Sequence, residues 1–190
     1  MNGIKLIRLI TTLLLTLLSS SVLSETAPEV DSRVSQSRMV VEAFGSKLIG
    51  ELKQALGDGG PVTAINVCNI EAPKIATGLS EKYNWSIGRT ALKTRNPDNN
   101  PDAWEKNVLQ MFEQRKQQGE AIAKFEYYEE TKQGFRYMKA IPTKGLCLTC
   151  HGESLTEPVK TALLKHYPDD RATGFNVGDI RGAFTIIQKN

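Results

Sequence analysis

The chain has 190 residues, 40% hydrophobic and 24% charged, with a formal charge of +3, two histidines and three cysteines. A charge this small excludes a nucleic-acid surface built on bulk positive charge. The length is one domain's worth and supports a sizeable core.

Lys5 and Arg8 precede a Leu-rich run, Leu9–Leu18, and then the small-residue stretch SSSVLS. Basic, apolar and small-residue regions in that order read as an export signal, residues 1–24, cleaved after Ser24. The run is short and Thr-rich for a membrane span, which needs about 20 apolar residues; an uncleaved anchor is the competing reading. Residues 25–190 then form one domain of 166 residues and charge +1, expected in the periplasm or outside the cell and not inserted in the membrane. No cysteine precedes Cys68, which excludes lipidation at the cleavage site. Thiols outside the cytoplasm tend to oxidise, so an odd number of them calls for another use.

Residues 25–32 are polar and read as loose. Val41, Phe44, Leu48, Leu52 and Leu56 recur at three or four and predict an amphipathic helix over 34–56, ended by GDGG. Pro61 opens a second helix. Its positions Ile65, Cys68, Ala72, Ile75 and Leu79 share one face, so Cys68 points where the core residues point. Pro73 is expected to kink or divide this helix, since it lacks a donor and crowds the carbonyl of Asn69. NWSIGRTAL reads as a strand with Trp85 and Ile87 on one side, and KTRNPDNNP as a loop. Asn96 to Asp102 suits a turn and helix cap rather than a metal loop. Pro101 is placed at the start of a third helix running to Gln118, with Trp104, Val108, Met111 and Phe112 inward. AIAKFEYYEE and FRYMKAI, joined by TKQG, form a hairpin. EPVKTALLKHY is a short helix and GDIRGAFTIIQ a last strand. This order predicts an α+β domain with an antiparallel sheet, flanking helices and N-terminal helices.

The chemistry concentrates in CLTCHG, Cys147–Gly152. Two thiols three residues apart can add to the two vinyl groups of one porphyrin, and the next histidine then meets the iron. In an exported chain this CxxCH pattern points to one covalently bound haem c, with thioethers at Cys147 and Cys150 and His151 as an axial ligand. Zinc held by Cys68, Cys147, Cys150 and His151 or His166 is a poorer match, because such sites come as two close pairs. A redox disulfide leaves His151 and Cys68 without a role. The other face of the iron has several candidates: Cys68, Met39, Met111, Met138 and His166. Cys68 reads either as that ligand or as a small buried hydrophobe. Met39, Met111 and Met138 read as core filler, with Met138 able to pack on the ring. His166 reads as a surface residue. Arg89, Lys93 and Arg95 alternate along an extended segment and either meet the haem propionates or form a solvated edge.

NVCNIEAP, GRTALKTRNPDNNPDAWE, FRYMKAI, CLTCHG and GDIRGAFTI together resemble a family of exported single-haem c-type cytochromes with a PAS-like fold, long known only as a domain of unknown function. The likeness runs from about Val40 to Ile187. It implies a PAS-like antiparallel sheet, haem attachment at Cys147 and Cys150, His151 on one side of the iron and Cys68 on the other.

Two functions follow as expectations. The first is one-electron transfer or redox sensing at a His/Cys-ligated iron, with an unidentified redox partner protein and no enzymatic task. The second is a haem-based gas or ligand sensor acting through a separate partner. A four-helix-bundle cytochrome also carries CxxCH near its C-terminus, but the aromatic hairpin speaks against it.

Overall fold

The computed structural model describes residues 26–189; the expected export signal, residues 1–24, lies outside them. The architecture is α+β. Helix α1, Thr26–Tyr83, has two arms that meet at Gly59 and Gly60, the only residues within it that leave helical geometry. Gly60 has φ of 72°, which a residue without Cβ adopts cheaply. The predicted break at GDGG is therefore present. Two other expectations are corrected. Helix begins at Thr26 rather than after a loose lead, because Val30 and Val34 pack against the core. Pro73 does not divide the second arm; φ/ψ stay helical through it, since the proline φ suits a helix and only one backbone bond is forfeited.

Strands β1 (Ser86–Thr90), β2 (Glu126–Thr131), β3 (Gly134–Pro142) and β4 (Ile180–Gln188) make one antiparallel sheet in the order β1-β4-β3-β2. The predicted hairpin is β2–β3, turning at Lys132 and Gln133. Helix α2 (Ala103–Gln117) starts from Asp102, whose carboxylate accepts the Glu105 N–H at 2.8 Å while Glu105 accepts the Asp102 N–H at 3.0 Å. This reciprocal cap lies one residue past Pro101, so the helix starts later than predicted.

Alternation along the strands gives the sheet two apolar faces. On one, Phe135, Tyr137, Ile87 and Ile186 meet Val34, Val40, Phe44 and Ile75 of α1. On the other, Met138, Ala140 and Ala183 meet Val108, Leu109 and Phe112 of α2. Leu109, unassigned from the periodicity, is as deeply buried as its neighbours. A third, smaller cluster joins Ile65 on the second arm of α1 to Val159, Ala162 and Leu163 of helix α4 (Glu157–His166), with Cys150, Leu155 and Tyr167 packed on it. This places the cysteine segment beside the cysteine-bearing arm of α1. Among the described residues, no helix is long and apolar enough to cross a membrane.

Candidate functional site

Cys147 ends a 3-10 turn, and Leu148–His151 form one helical turn, α3. Gly152 closes it, donating to Leu148 O at 3.0 Å. The turn presents Cys147, Cys150 and His151 within a single coil of backbone. All three thiols are free and half-buried. Cys147 Sγ accepts the Lys144 N–H at 3.3 Å. Cys150 faces the second arm of α1, and burial pushes its thiol up, opposed by Arg95. Cys68 lies one turn beyond Ile65 on that arm. Burial also raises its thiol, while the charges of Arg89 and Arg95 draw it back down. Cys68 and Cys150 are close enough to sense each other's charge.

His151 is held by the loop that precedes β4. Its Nδ1 lies 2.7 Å from Ala172 O. A carbonyl only accepts, so Nδ1 carries the proton and Nε2 keeps its lone pair. Arg181 Nε lies beside the ring, 3.2 Å from Nδ1 and 3.4 Å from Nε2, and Arg95 Nη1 is 3.5 Å from Nε2. Burial, followed by the charges of Arg181 and Arg95, holds the imidazole well below the ordinary histidine range. The ring is therefore neutral at pH 7, which a metal-ligating nitrogen requires. Phe175 meets it edge-on, with centroids 6.2 Å apart at 86°.

The predicted cations separate into two kinds. Arg95 is committed: its Nε donates to Asp170 Oδ2 at 3.0 Å and its Nη2 to Cys150 O at 2.5 Å. Lys93 donates to Thr173 O at 2.8 Å and lies over the Phe175 ring. Arg89 has no carboxylate partner among the described residues and lies 5.8 Å from the Phe44 ring centroid. Burial lowers its pKa. The extended alternation of 89–95 is corrected: the strand ends at Thr90 and the chain bends away at Leu92–Lys93 and again at Arg95–Asn96. Arg181 was not predicted. It precedes Gly182 on β4, donates to His151 and to Lys93 O at 3.2 Å, and also lacks a carboxylate partner among the described residues. Burial and then the repulsion of Arg95 and Arg89 pull it down to about 10. Tyr167, likewise missed, packs on the same Ile65 cluster as Cys150 and is pushed up to about 12 by burial and the nearby Cys68.

The rival ligands fall elsewhere. Met39 is exposed, and Met111 and Met138 belong to the cluster under α2, with Met138 fully buried against other side chains there. His166 ends α4 half-buried. No three His, Cys, Asp or Glu side chains gather around one point among the described residues, so the zinc set is not assembled.

Residues 16–188 match the family model described as Tll0287-like. Among solved structures, the chain is similar to the cyanobacterial heme-protein Tll0287 at 25% identity, covering 84% of this chain and 96% of that one, with a TM-score of 0.67. No curated protein matches it.

Proposed function

The chain belongs to the Tll0287-like family, and on that premise we propose that it is an exported protein binding one haem c, covalently at Cys147 and Cys150, with His151 and Cys68 as the two axial ligands. The likeness to a heme-protein supports the cofactor, and the local chemistry supports the mode of attachment. Nδ1 of His151 bonded to Ala172 O at 2.7 Å is the observation that carries the reading. It leaves Nε2, which here faces the Arg181 and Arg95 guanidiniums, as the nitrogen that would coordinate once they give way, and it holds the ring from behind, as the outer hydrogen bond of a metal-bound histidine does.

The donor set fits the group. Two thiols three residues apart suit two vinyl carbons, and a soft sulfur ligand suits iron. Arg89 and Arg181 are two half-buried guanidiniums without carboxylates, and a haem carries two propionates. We assign those two arginines to the propionates, with Lys93 and Arg95 beside them holding backbone. A PAS-like reading of the sheet and its helices belongs to the same proposal.

The haem would supply a one-electron Fe(III)/Fe(II) couple. The chain's part is to hold the imidazole neutral and oriented, to offset through Arg89 and Arg95 some of the burial that raises the Cys68 thiol, and to keep water from the ring with Phe175, Tyr167 and the Ile65 cluster. Two side-chain ligands leave the iron no position for a substrate, so the role is electron transfer or redox sensing with a separate partner protein. A thiolate favours the ferric state, and the potential is expected to be low for a c-type haem.

Electron paramagnetic resonance of the ferric protein tests this. Parent protein is expected to show a low-spin thiolate signature that disappears in Cys68→Ser, together with a rise in reduction potential. Identical spectra and potential in both proteins would refute ligation by Cys68. Pigment extractable into acidified acetone would refute covalent attachment. Carbon monoxide binding to the reduced parent would favour the gas-sensor role.

A further inference from the structure

We infer that the buried Asp170–Arg95 ion pair is a positioning device: it straps residues 170–175 across the Cys147–His151 turn and thereby fixes the plane of the His151 ring. The inference rests on His151 being an axial ligand, as proposed above, and adds what sets the orientation of that ligand.

The strap is tied at every step. Arg95 and Asp170 have side chains 12% and 10% exposed. One oxygen of Asp170 takes the Arg95 Nε–H; the other takes the Ala172 N–H at 2.7 Å. Ala172 O in turn receives His151 Nδ1–H. A single carboxylate therefore reaches the imidazole through one residue, Ala172. Arg95 closes the circuit from the opposite side, donating to Cys150 O at 2.5 Å and to Ala172 O at 3.4 Å. Beyond Ala172 the strap runs antiparallel to the turn. Gly174 N donates to Gly152 O at 3.1 Å and Phe175 N to His151 O at 2.9 Å. Its outer edge is held by the Lys93 ammonium on Thr173 O and by Arg171 N on Thr94 O at 2.9 Å.

A buried ion pair adds little net stability, because desolvation offsets the attraction. Its use here is geometric. Imidazole rotates freely about χ2 unless both its faces and its second nitrogen are engaged. The Phe175 ring, the Arg181 guanidinium and the Ala172 carbonyl engage it here, and the ion pair sets where the first and last of these stand. The relation is the one seen when a second hydrogen bond orients a metal-bound histidine.

The variants to test are Asp170→Asn, the conservative Asp170→Glu, and Phe175→Leu in the full-length haem-loaded chain. Asp170→Asn and Phe175→Leu are expected to split the single low-spin ferric resonance into two or more sets of g values, with the haem still attached. Asp170→Glu is expected to keep one set. A parent-like single set in both Asp170→Asn and Phe175→Leu would overturn the inference. A second readout does not need haem. In the full chain produced without attachment, long-range nitrogen-15 spectra report the ring tautomer. The parent is expected to show His151 as the Nδ1–H form alone, and Asp170→Asn a mixture. Loss of haem ligation by His151 with an intact tautomer effect would sink the cofactor reading and leave the strap standing; an unchanged tautomer would sink the strap.

Discussion

At the scale of single residues, the charges in this protein divide by whether a partner is at hand. Glu126 accepts the Tyr137 hydroxyl at 2.7 Å and is paired with Arg38. The Arg38 hydrogen bonds pull its carboxyl from the ordinary 4.5 to about 2, although burial pushes the other way. Because the folded value is the lower one, the stability it contributes is complete above about pH 4.5 and is lost as pH falls toward 2. Glu126→Gln is expected to flatten that part of the acid limb and to cost about 1–2 kcal/mol at neutral pH, read from thermal unfolding midpoints across pH. Cys147, Cys150 and His151 stood out because two thiols three residues apart followed by a histidine is the spacing a covalently bound porphyrin would require. Asp170, Phe175 and Arg181 carried no comparable signal. Asp170 sits in an ordinary polar loop, and Arg181 occupies a strand position where an arginine reads as solvated.

At the scale of elements, the end signals were readable and the lengths less so. Asp102 and Glu105 form a reciprocal cap at the end of the stretch read as a turn and helix cap, one residue past the expected start at Pro101. Asp102→Ala is expected to cost about 1 kcal/mol, measured by urea unfolding, with spectra of the site unchanged. Gly60 is the break in α1, and Gly60→Ala is expected to cost about 1–3 kcal/mol because its φ of 72° and ψ of −167° lie in a region essentially restricted to glycine. The unpredicted first turns of α1 have a plain cause. Polar sequence by itself favours neither loop nor helix, and two valines reaching the sheet were enough to extend the helix. Pro73 misled in the opposite sense, since proline weakens a helix locally and packing of Ala72 and Ile75 outweighs it.

At the scale of the whole molecule, the site exists because β1 and β4 approach closely at their open ends. A Cβ on Gly182 would stand 2.4 Å from Thr90 O and 2.9 Å from Ala91 Cβ. Gly182→Ala is expected to part the strands, displace residues 91–95, and cost at least ~2 kcal/mol while lowering haem content per chain. Met138→Ala, under α2 and away from the site, is expected to cost roughly 2–5 kcal/mol and leave the haem spectrum unchanged. The pair separates damage to the scaffold from damage to the site.

What the sequence determined alone is whatever depends on neighbours along the chain: the helical faces, the hairpin, the caps, and a thiol pair followed by a histidine. Those patterns are periodic or contiguous, so a few residues suffice to state them. Tertiary structure decided which side chains answer the histidine. Arg95 reaches Asp170 across 75 residues and Cys150 across 55. Periodicity says which way a side chain faces but not what it will meet. Only the sheet order, which lays β1 beside β4 and the strap against the cysteine turn, brings Ala172, Asp170 and Arg181 to His151.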